Sequence, residues 1–266
     1  MAQATLAAVA EAETPCGADI VHSANGVSAR YKGLKLTSHF QPIFSLSHCR
    51  AIGHEGLLRA ADADLNPVAP GRVLATTSGY DDLRYLDQLC RYLHVNNHEA
   101  HNTHGGWLFL NIHPEVFRRG PDSDLSDFLP ELCEHPDIDA RRIVVEVMEQ
   151  AVSEHAGFAR TVEYLREMGC MIALDDFGAG HSNFDRIWSL QPEIVKLDRS
   201  FAIKSVEDPS ARRLLPQIVS LIHEAGSLVL LEGVETEAQA LAAFDSDIDF
   251  VQGFYFAMPA AAPVDT

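Results

Sequence analysis

Carboxylates and other polar side chains end several short apolar segments of this 266-residue chain. The apolar run Met171–Leu174 is followed by Asp175 and Asp176, and then by a glycine-punctuated turn. Further along, Ile194–Val195 leads directly to Lys196. A strand, an acidic pair, a flexible turn and a lysine at the end of the next strand are suited to holding a divalent cation beside a phosphate.

The same pattern recurs along the chain. The polar residues at the ends of strand-like segments are Asn111 (WLFLN), Glu146 (IVVE), Asp175 (MIALD), Lys196 (IVK), Glu232 (LVLLE) and Gln252 (FVQ), and Glu55 lies within an earlier segment, HEGLLR. Their separations bracket the roughly 30 residues of a βα unit. Alternating strands and helices predict a parallel sheet. In a barrel, the carboxyl ends of such strands converge on one face, so these residues are predicted to meet in space.

Oxygen ligands from Glu, Asp and Asn suit hard cations such as Mg²⁺ or Mn²⁺. The carboxylates concerned are Glu55, Glu146, Asp175, Asp176 and Glu232. Packed together they would repel one another, and two divalent cations would offset that repulsion. Lys196 could then orient or activate an attacking water, or stabilise charge on a phosphate.

The acidic pair sets a geometric condition. Adjacent residues of a strand point to opposite faces. Asp175 and Asp176 can therefore reach one site only if the strand ends at Asp175, which the glycine turn permits.

The remaining pattern predicts the elements that position these residues. Thr37–Phe44 and Ala51–Arg59 are predicted strands of an antiparallel hairpin, because a brief turn separates them. Helical patterns are predicted at Pro70–Ser78, Leu83–Glu99, Phe158–Met168, Ser182–Leu190, Ser210–Glu224 and Glu235–Phe244. The length fits one large α/β barrel or two small domains.

Residues 1–33 are rich in Ala, Ser and Gly and show little strand periodicity. We expect a loose leader or linker there, with a short helix at Leu6–Ala12. Residues 34–262 would then form the barrel domain, and 263–266 a tail.

Net charge, cysteine spacing and the length of the apolar runs indicate which partners and which cellular compartment to expect. A net charge of −18 disfavours broad binding to duplex nucleic acid, although cations can reverse the field inside a pocket. Five cysteines without a C-x-x-C pair argue against a disulfide framework or zinc site and favour a reducing compartment. Apolar runs are too short to span a membrane, and the amino terminus lacks the basic region of a signal peptide. A cytoplasmic location is expected.

Taken in order, these segments resemble the EAL-domain phosphodiesterases, which hydrolyse the bacterial second messenger cyclic di-GMP. The motifs that carry the resemblance are FQPI (Phe40–Ile43), EGLLR (Glu55–Arg59), LNIHP with Asn111, VEVMEQ with Glu146 and Glu149, DDFGAG (Asp175–Gly180), KLD (Lys196–Asp198), EGVET (Glu232–Thr236) and QGFYF (Gln252–Phe256) with Pro259. The resemblance covers about four fifths of the chain.

The resemblance implies a fold and a cation site. The fold is a modified TIM (β/α)₈ barrel of the α/β class, whose first strand runs antiparallel to the others. One Mg²⁺ or Mn²⁺ ion would be held by Glu55, Asn111, Glu146 and Asp175. A second would be held by Asp175, Asp176 and Glu232.

It also implies roles for other residues. Lys196 would contact the nucleophilic water, with Glu55 and Glu232 as the other catalytic groups. Substrate contacts would come from Gln41, Arg59, Asp198 and Gln252, although Asp198 could instead cap the next helix. Glu149, Gly178 and Gly180 would order the loop from Phe177 to Ser182, and Glu235 would support the site from behind.

The implied reaction opens one phosphodiester of cyclic di-GMP by water attack and yields linear pGpG. Two alternatives stay open, namely a receptor that binds cyclic di-GMP without turnover and a barrel that acts on another phosphoester. The family also suggests a homodimer and sensory domains in a longer parent chain. The sequence departs from the family pattern at Gly56, where alanine is usual, and at Ala179 and residues 181–184. The loop changes bear on turnover rate, whereas the alanine methyl is not a ligand.

Overall fold

The computed structural model describes residues 19–23, 26–101, 105–119, 139–152, 156–180 and 184–263. The strands are β1 (Asp19–Ser23), β2 (Gly26–Tyr31), β3 (Leu34–Ser45), β4 (Arg50–Ala61), β5 (Pro67–Val68), β6 (Trp107–Asn111), β7 (Ile143–Met148), β8 (Met171–Phe177), β9 (Ile194–Leu197), β10 (Leu228–Leu231) and β11 (Phe250–Val251). The helices are α1 (Pro70–Leu74), α2 (Tyr80–His101), α3 (Pro114–Arg119), α4 (Ala156–Met168), α5 (Phe184–Leu190), α6 (Arg199–Glu207), α7 (Pro209–Glu224) and α8 (Glu237–Asp245).

Eight of these strands close into a barrel. Their order is β3, β11, β10, β9, β8, β7, β6, β4, and β4 pairs with β3 to complete the ring. Neighbours from β4 through β11 are parallel, whereas β3 is antiparallel to both β4 and β11. The predicted modified (β/α)₈ barrel with an antiparallel first strand is confirmed.

Alternation along the strands divides the buried side chains between two layers. Those inside the barrel are Ile43, Phe109, Val144, Ala173, Ile194, Leu230 and Phe250. The intervening residues face the helices and join a larger cluster that includes Leu110, Val145, Ile172 and Val195. Burying each large aliphatic or aromatic side chain contributes about 1.5–3 kcal/mol. The barrel is therefore a packed core, and only its ends are open to a ligand.

The predicted elements agree with the structure at most positions, and several differ. The expected loose leader is wrong for residues 19–23 and 26–31, which form β1 and β2, and β2 pairs with β3 from Ala29↔Leu36 to Tyr31↔Leu34. Burial of Ala29 and Tyr31 against α2 and β3 stabilises this hairpin, and small polar neighbours hide that pattern in the sequence. Helix α6 was also not predicted. The expected helix at Leu6–Ala12 lies outside the described residues.

No helix among the described parts of the chain is both long and apolar enough to cross a membrane.

A buried asparagine fastens the amino-terminal hairpin to α2. Asn97 Oδ1 accepts a hydrogen bond from the Val27 amide at 2.6 Å, and Asn97 Nδ2 donates to the Val27 carbonyl at 2.8 Å. Its side chain thus replaces a strand partner for one residue of β2. Removing it would leave two backbone groups unsatisfied in a partly buried position.

We expect Asn97→Ala to lower the free energy of unfolding by about 1–3 kcal/mol, because each Val27 group loses its partner. Chemical denaturation would measure this, and limited proteolysis should cut residues 19–33 faster. Asn96→Ala is the matched control, since the described partner of Asn96 Nδ2 is the Tyr92 carbonyl of its own helix. Equal losses in the two variants would contradict the assignment.

Candidate active site

A ring of polar side chains lies directly above the apolar layer inside the barrel. In six parallel strands the polar residue follows the inner apolar residue by two positions, which places both on one face of the strand. These pairs are Phe109 and Asn111, Val144 and Glu146, Ala173 and Asp175, Ile194 and Lys196, Leu230 and Glu232, and Phe250 and Gln252. Strand β3 runs the other way, so Gln41 precedes Ile43 by two, and it pairs directly with Glu55 of β4. All eight strands therefore contribute to one polar face.

The acidic pair reaches this face by a route that the sequence did not predict. A strand end at Asp175 is not the reason, because β8 continues to Phe177. Instead, Asp176 adopts φ +57°, and the pairing with β9 shifts register between Leu174 and Phe177. This left-handed residue interrupts the strand alternation. As a result, Asp175, Asp176 and Glu232 each offer a carboxylate oxygen within 4.8 Å of the others.

Lys196 is buried beneath these carboxylates, with 1% of its surface exposed. Its Nζ lies 3.0 Å from Asp175 Oδ1 and 2.7 Å from Glu232 Oε1, and it also contacts Glu146 Oε1. Burial alone would lower the pKa of Lys196, but the surrounding carboxylates, Asp175 foremost, raise that pKa well above its ordinary value. The ammonium group therefore remains charged at neutral pH.

The pKa values of three carboxyl groups in the ring are also raised, which for an acid favours the neutral form. Burial, reinforced by Glu55, raises the pKa of Glu146 well above its usual range. Burial raises the pKa of Glu232 to about 7, with Lys196 opposing the shift and Asp175 adding to it. Burial and Asp175 also raise the pKa of Asp176. One lysine does not offset this concentration of negative charge.

Glu55 is held by two amides at the rim of the ring. Asn111 Nδ2 donates to Glu55 Oε1 at 3.0 Å, and Gln252 Nε2 donates to Glu55 Oε2 at 2.8 Å. Each carboxylate oxygen thus has one donor and keeps free lone pairs. The amides orient the carboxylate without neutralising its charge.

Buried oxygens with one donor or none make the ring suited to a cation. Glu146 Oε2 accepts no hydrogen bond from a described residue, and Lys196 is the one described donor that contacts Glu146 Oε1. Asp175 Oδ1 likewise has Lys196 Nζ, at 3.0 Å, as its one described donor. A buried acceptor without a donor is costly, and a hard divalent cation is the partner that several such oxygens share best. The donor set therefore fits Mg²⁺ or Mn²⁺.

A cleft of about 320 Å³ opens above the ring. It is lined by Gln41, Glu55, Asp176, Asp198, Arg199, Glu232, Gly233, Glu235, Gln252, Gly253 and Phe254. Arg199 and Phe254 were not among the predicted site residues. Arg199 follows the predicted residue Asp198 by one position, and Phe254 follows Gln252 by two. That closeness in sequence could have pointed to both residues. Arg199 is the one cation among the described residues that line this cleft.

The other predicted residues occupy distinct positions. Asp198 lines the cleft and also caps α6, since its Oδ1 accepts from the Ser200 amide at 3.0 Å. Glu235 is exposed at the rim rather than behind the site. Arg59 Nη1 donates to the Leu58 carbonyl, and Gln41 Nε2 donates to the Ala257 carbonyl at 3.3 Å. Substrate contacts by these residues stay predictions.

The loop after β8 is anchored at both of its described ends. Gly178 has φ +99°, and a Cβ there would lie 2.0 Å from Phe201 Cε2, so only glycine fits. Glu149 Oε1 lies 3.2 Å from Arg186 Nη1 on α5, the helix that follows the loop. Gly180 has open space around it, and residues 181–183 lie outside the described residues.

Comparisons with known proteins agree with this geometry. A family profile described as the EAL domain matches residues 27–259. The chain is 28% identical over 253 residues to the cyclic di-GMP phosphodiesterase RocR of Pseudomonas aeruginosa, covering 93% of this chain and 62% of RocR. It is 26% identical to the signaling protein YkoW of Bacillus subtilis, covering 83% of this chain and 28% of YkoW. The chain thus spans less than two thirds of either relative.

Solved structures share the fold. A standalone EAL protein from Vibrio cholerae in its c-di-GMP-bound form superposes with a TM-score of 0.74 at 24% identity, covering 87% of this chain and 95% of that one. The manganese and cyclic di-GMP complex of BlrP1 from Klebsiella pneumoniae also gives 0.74, at 20% identity, over 93% of this chain and 60% of that one. The family match spans nearly the whole described barrel, and this chain belongs to the EAL domain family.

Proposed function

We propose that this protein hydrolyses one phosphodiester bond of cyclic di-GMP, giving linear pGpG, with the help of two divalent cations. Membership of the EAL domain family supports the reaction class, and a relative such as RocR is named for this activity. The supporting observation in the structure is the clustering of Asp175, Asp176 and Glu232 within 4.8 Å, above a buried lysine and below an open cleft.

The described residues divide into two groups around the proposed cations. Glu55, Asn111, Glu146 and Asp175 would hold one, while Asp175, Asp176 and Glu232 would hold the other. When bound, these ions would supply positive charge that attracts a phosphodiester and would make a water molecule more acidic. Every proposed ligand is present in the sequence and belongs to the polar ring or its rim.

Lys196 supplies a permanent positive charge at the floor of the site. Because its pKa is raised, it can donate hydrogen bonds to the attacking water and stabilise charge on the phosphate without losing its proton. Asn111 and Gln252 hold Glu55 in one orientation, so the ring is organised before substrate arrives. Gln41, Arg59 and Asp198 are the proposed contacts to the dinucleotide.

Loss of a proposed cation ligand should abolish turnover. We expect Glu55→Ala or Asp175→Ala to reduce Mn²⁺-dependent release of pGpG by at least about 10²-fold, because stabilisation of the transition-state charge is lost. Chromatographic separation of cyclic di-GMP and pGpG would measure this. Glu207→Gln, at the exposed end of α6 and away from the cleft, should retain full activity.

The same assay separates the alternatives. Intact cyclic di-GMP after incubation of the parent protein with Mn²⁺ would refute the proposed hydrolysis. Tight binding by calorimetry without turnover would then support a receptor. Neither binding nor turnover would direct attention to another phosphoester.

Binding of a divalent cation should also raise the thermal stability of the protein. We expect saturating Mn²⁺, at about 100 times its Kd, to raise the Tm of EDTA-treated protein by roughly 5–10 °C. Glu146→Gln should lose this increase while melting no lower than the parent in EDTA, since its surroundings already raise the pKa of that carboxyl and disfavour the ionised form. Scanning calorimetry would measure both. An unchanged Mn²⁺ effect in this variant would argue against Glu146 as a ligand.

The exposed arginine of the cleft should act on substrate binding. Arg199→Ala is expected to raise KM about fivefold with little change in kcat, since an exposed charge contact is worth about 1 kcal/mol. Steady-state kinetics would show the split. Arg213→Ala, on the exposed face of α7, is the control and should leave KM unchanged. A matching fall in kcat without a rise in KM would rule out this role.

A homodimer and attachment to sensory domains stay predictions from the family resemblance.

A further inference from the structure

Gly56 follows the proposed cation ligand Glu55 and stands where the family motif usually carries alanine. It lies in β4, pairs with Phe40 of β3, and faces α2. Its backbone is not in the left-handed region, so an alanine would meet no conformational barrier. Any obstacle to a side chain there must come from its neighbours.

That obstacle is the ring of His94 on α2. A Cβ added to Gly56 would lie 2.9 Å from His94 Cγ, 3.0 Å from His94 Cβ and 3.2 Å from His94 Cδ2. The two nearest of these atoms belong to the stiff base of the side chain rather than to a flexible end. The imidazole therefore occupies the volume that an alanine methyl would need.

His94 cannot easily move away. It is 5% exposed, and its Nδ1 lies 2.9 Å from Ser38 Oγ. Asn97 Nδ2 also donates to Ser38 Oγ at 3.3 Å, which leaves the hydroxyl hydrogen free to point at Nδ1. Burial, with Arg59 and Arg91 nearby, lowers the pKa of His94 to about 3, so the ring is neutral and can accept that hydrogen bond.

On its other side β4 carries Glu55, whose position depends on its strand. Glu55 pairs with Gln41 and accepts hydrogen bonds from Asn111 and Gln252, at 3.0 and 2.8 Å. A shift of the Gly56 backbone by a few tenths of an ångström would displace the carboxylate relative to those donors. Packing of α2 on the outer face of the barrel thus sets the geometry of a group on the inner face.

We propose that His94 is a positioning residue for Glu55, and that Gly56 is the compensating partner that makes room for its ring. The catalytic consequence rests on the function proposed above. It follows that restoring the usual family residue at position 56 harms the site in this chain, and that it does so only while the histidine is present.

A double-mutant cycle tests this pairing. The variants are Gly56→Ala, His94→Ala and both together, because alanine lacks the Cγ and Cδ2 atoms of His94 that the new methyl group would meet at 2.9 and 3.2 Å. We expect Gly56→Ala alone to lower Tm in EDTA by roughly 3–10 °C and to weaken Mn²⁺ binding by about tenfold at a temperature where the protein is fully folded. The double variant should recover most of both losses relative to Gly56→Ala. Scanning calorimetry and isothermal titration with Mn²⁺ are the measurements.

Gly71→Ala is the matched glycine control, since nothing lies within 4 Å of a Cβ there, and it should alter neither quantity adversely. Additive losses in the double variant would overturn the proposal, as would a Gly56→Ala protein that melts and binds Mn²⁺ like the parent. If Gly56→Ala does not fold, recovery of a cooperative melt in the double variant supports the pairing, and its absence overturns it.

These readouts stand apart from catalysis. A merely structural role for His94 would change Tm but not the Mn²⁺ affinity of the folded protein, so a loss of Tm alone would overturn the positioning role. Should the parent fail to hydrolyse cyclic di-GMP, the melting and Mn²⁺ data still decide the pairing, and only the proposed function falls.

Discussion

Electrostatic repulsion within a half-buried ring of carboxylates is the constraint on which the rest of the site depends. Glu146, Asp175 and Glu232 all contact the ammonium group of Lys196, and Asp176 and Glu55 add further negative charge. Burial raises the pKa of Glu146 and of Glu232, which shows that the lysine alone does not offset the cost. A site of this kind stores electrostatic energy that a divalent cation would release on binding. The barrel must hold the carboxylates together against that repulsion.

The interior of the barrel contains two layers of side chains, one apolar and one polar. The lower layer is apolar and packed, and the polar ring stands two residues above it on six parallel strands. The antiparallel β3 brings Gln41 to the same face because its direction is reversed. Packing below thus fixes the height of the ring above, and the left-handed Asp176 adds a second aspartate that regular alternation would have turned away. Strain at that residue is a local cost of gathering ligands.

Strand β4 connects the outer face of the barrel, where α2 packs, to the inner face, where Glu55 lies. Its hydrogen bonds to β3 and β6, and the packing of α2 against Gly56, leave Glu55 little freedom. The hairpin formed by β1 and β2 is tied to the same helix through Asn97, which also donates to Ser38 beside His94. Hydrogen bonds thus join Val27 of β2 to Ser38 of β3 and His94 of α2, and His94 packs against Gly56 of the strand that carries Glu55.

The sequence by itself determined the alternation of strands and helices, the antiparallel first hairpin and the polar residues at the strand ends, because these are local patterns, and its motifs determined the resemblance that implied a barrel with a reversed first strand. It also pointed to Asp198 as a possible helix cap, and the structure shows that contact. Tertiary structure alone decided the left-handed turn at Asp176, the docking of β1 and β2, the position of Arg199 in the cleft and the contact between Gly56 and His94. Each of these depends on groups distant in the chain, whose packing and pairing no local periodicity records.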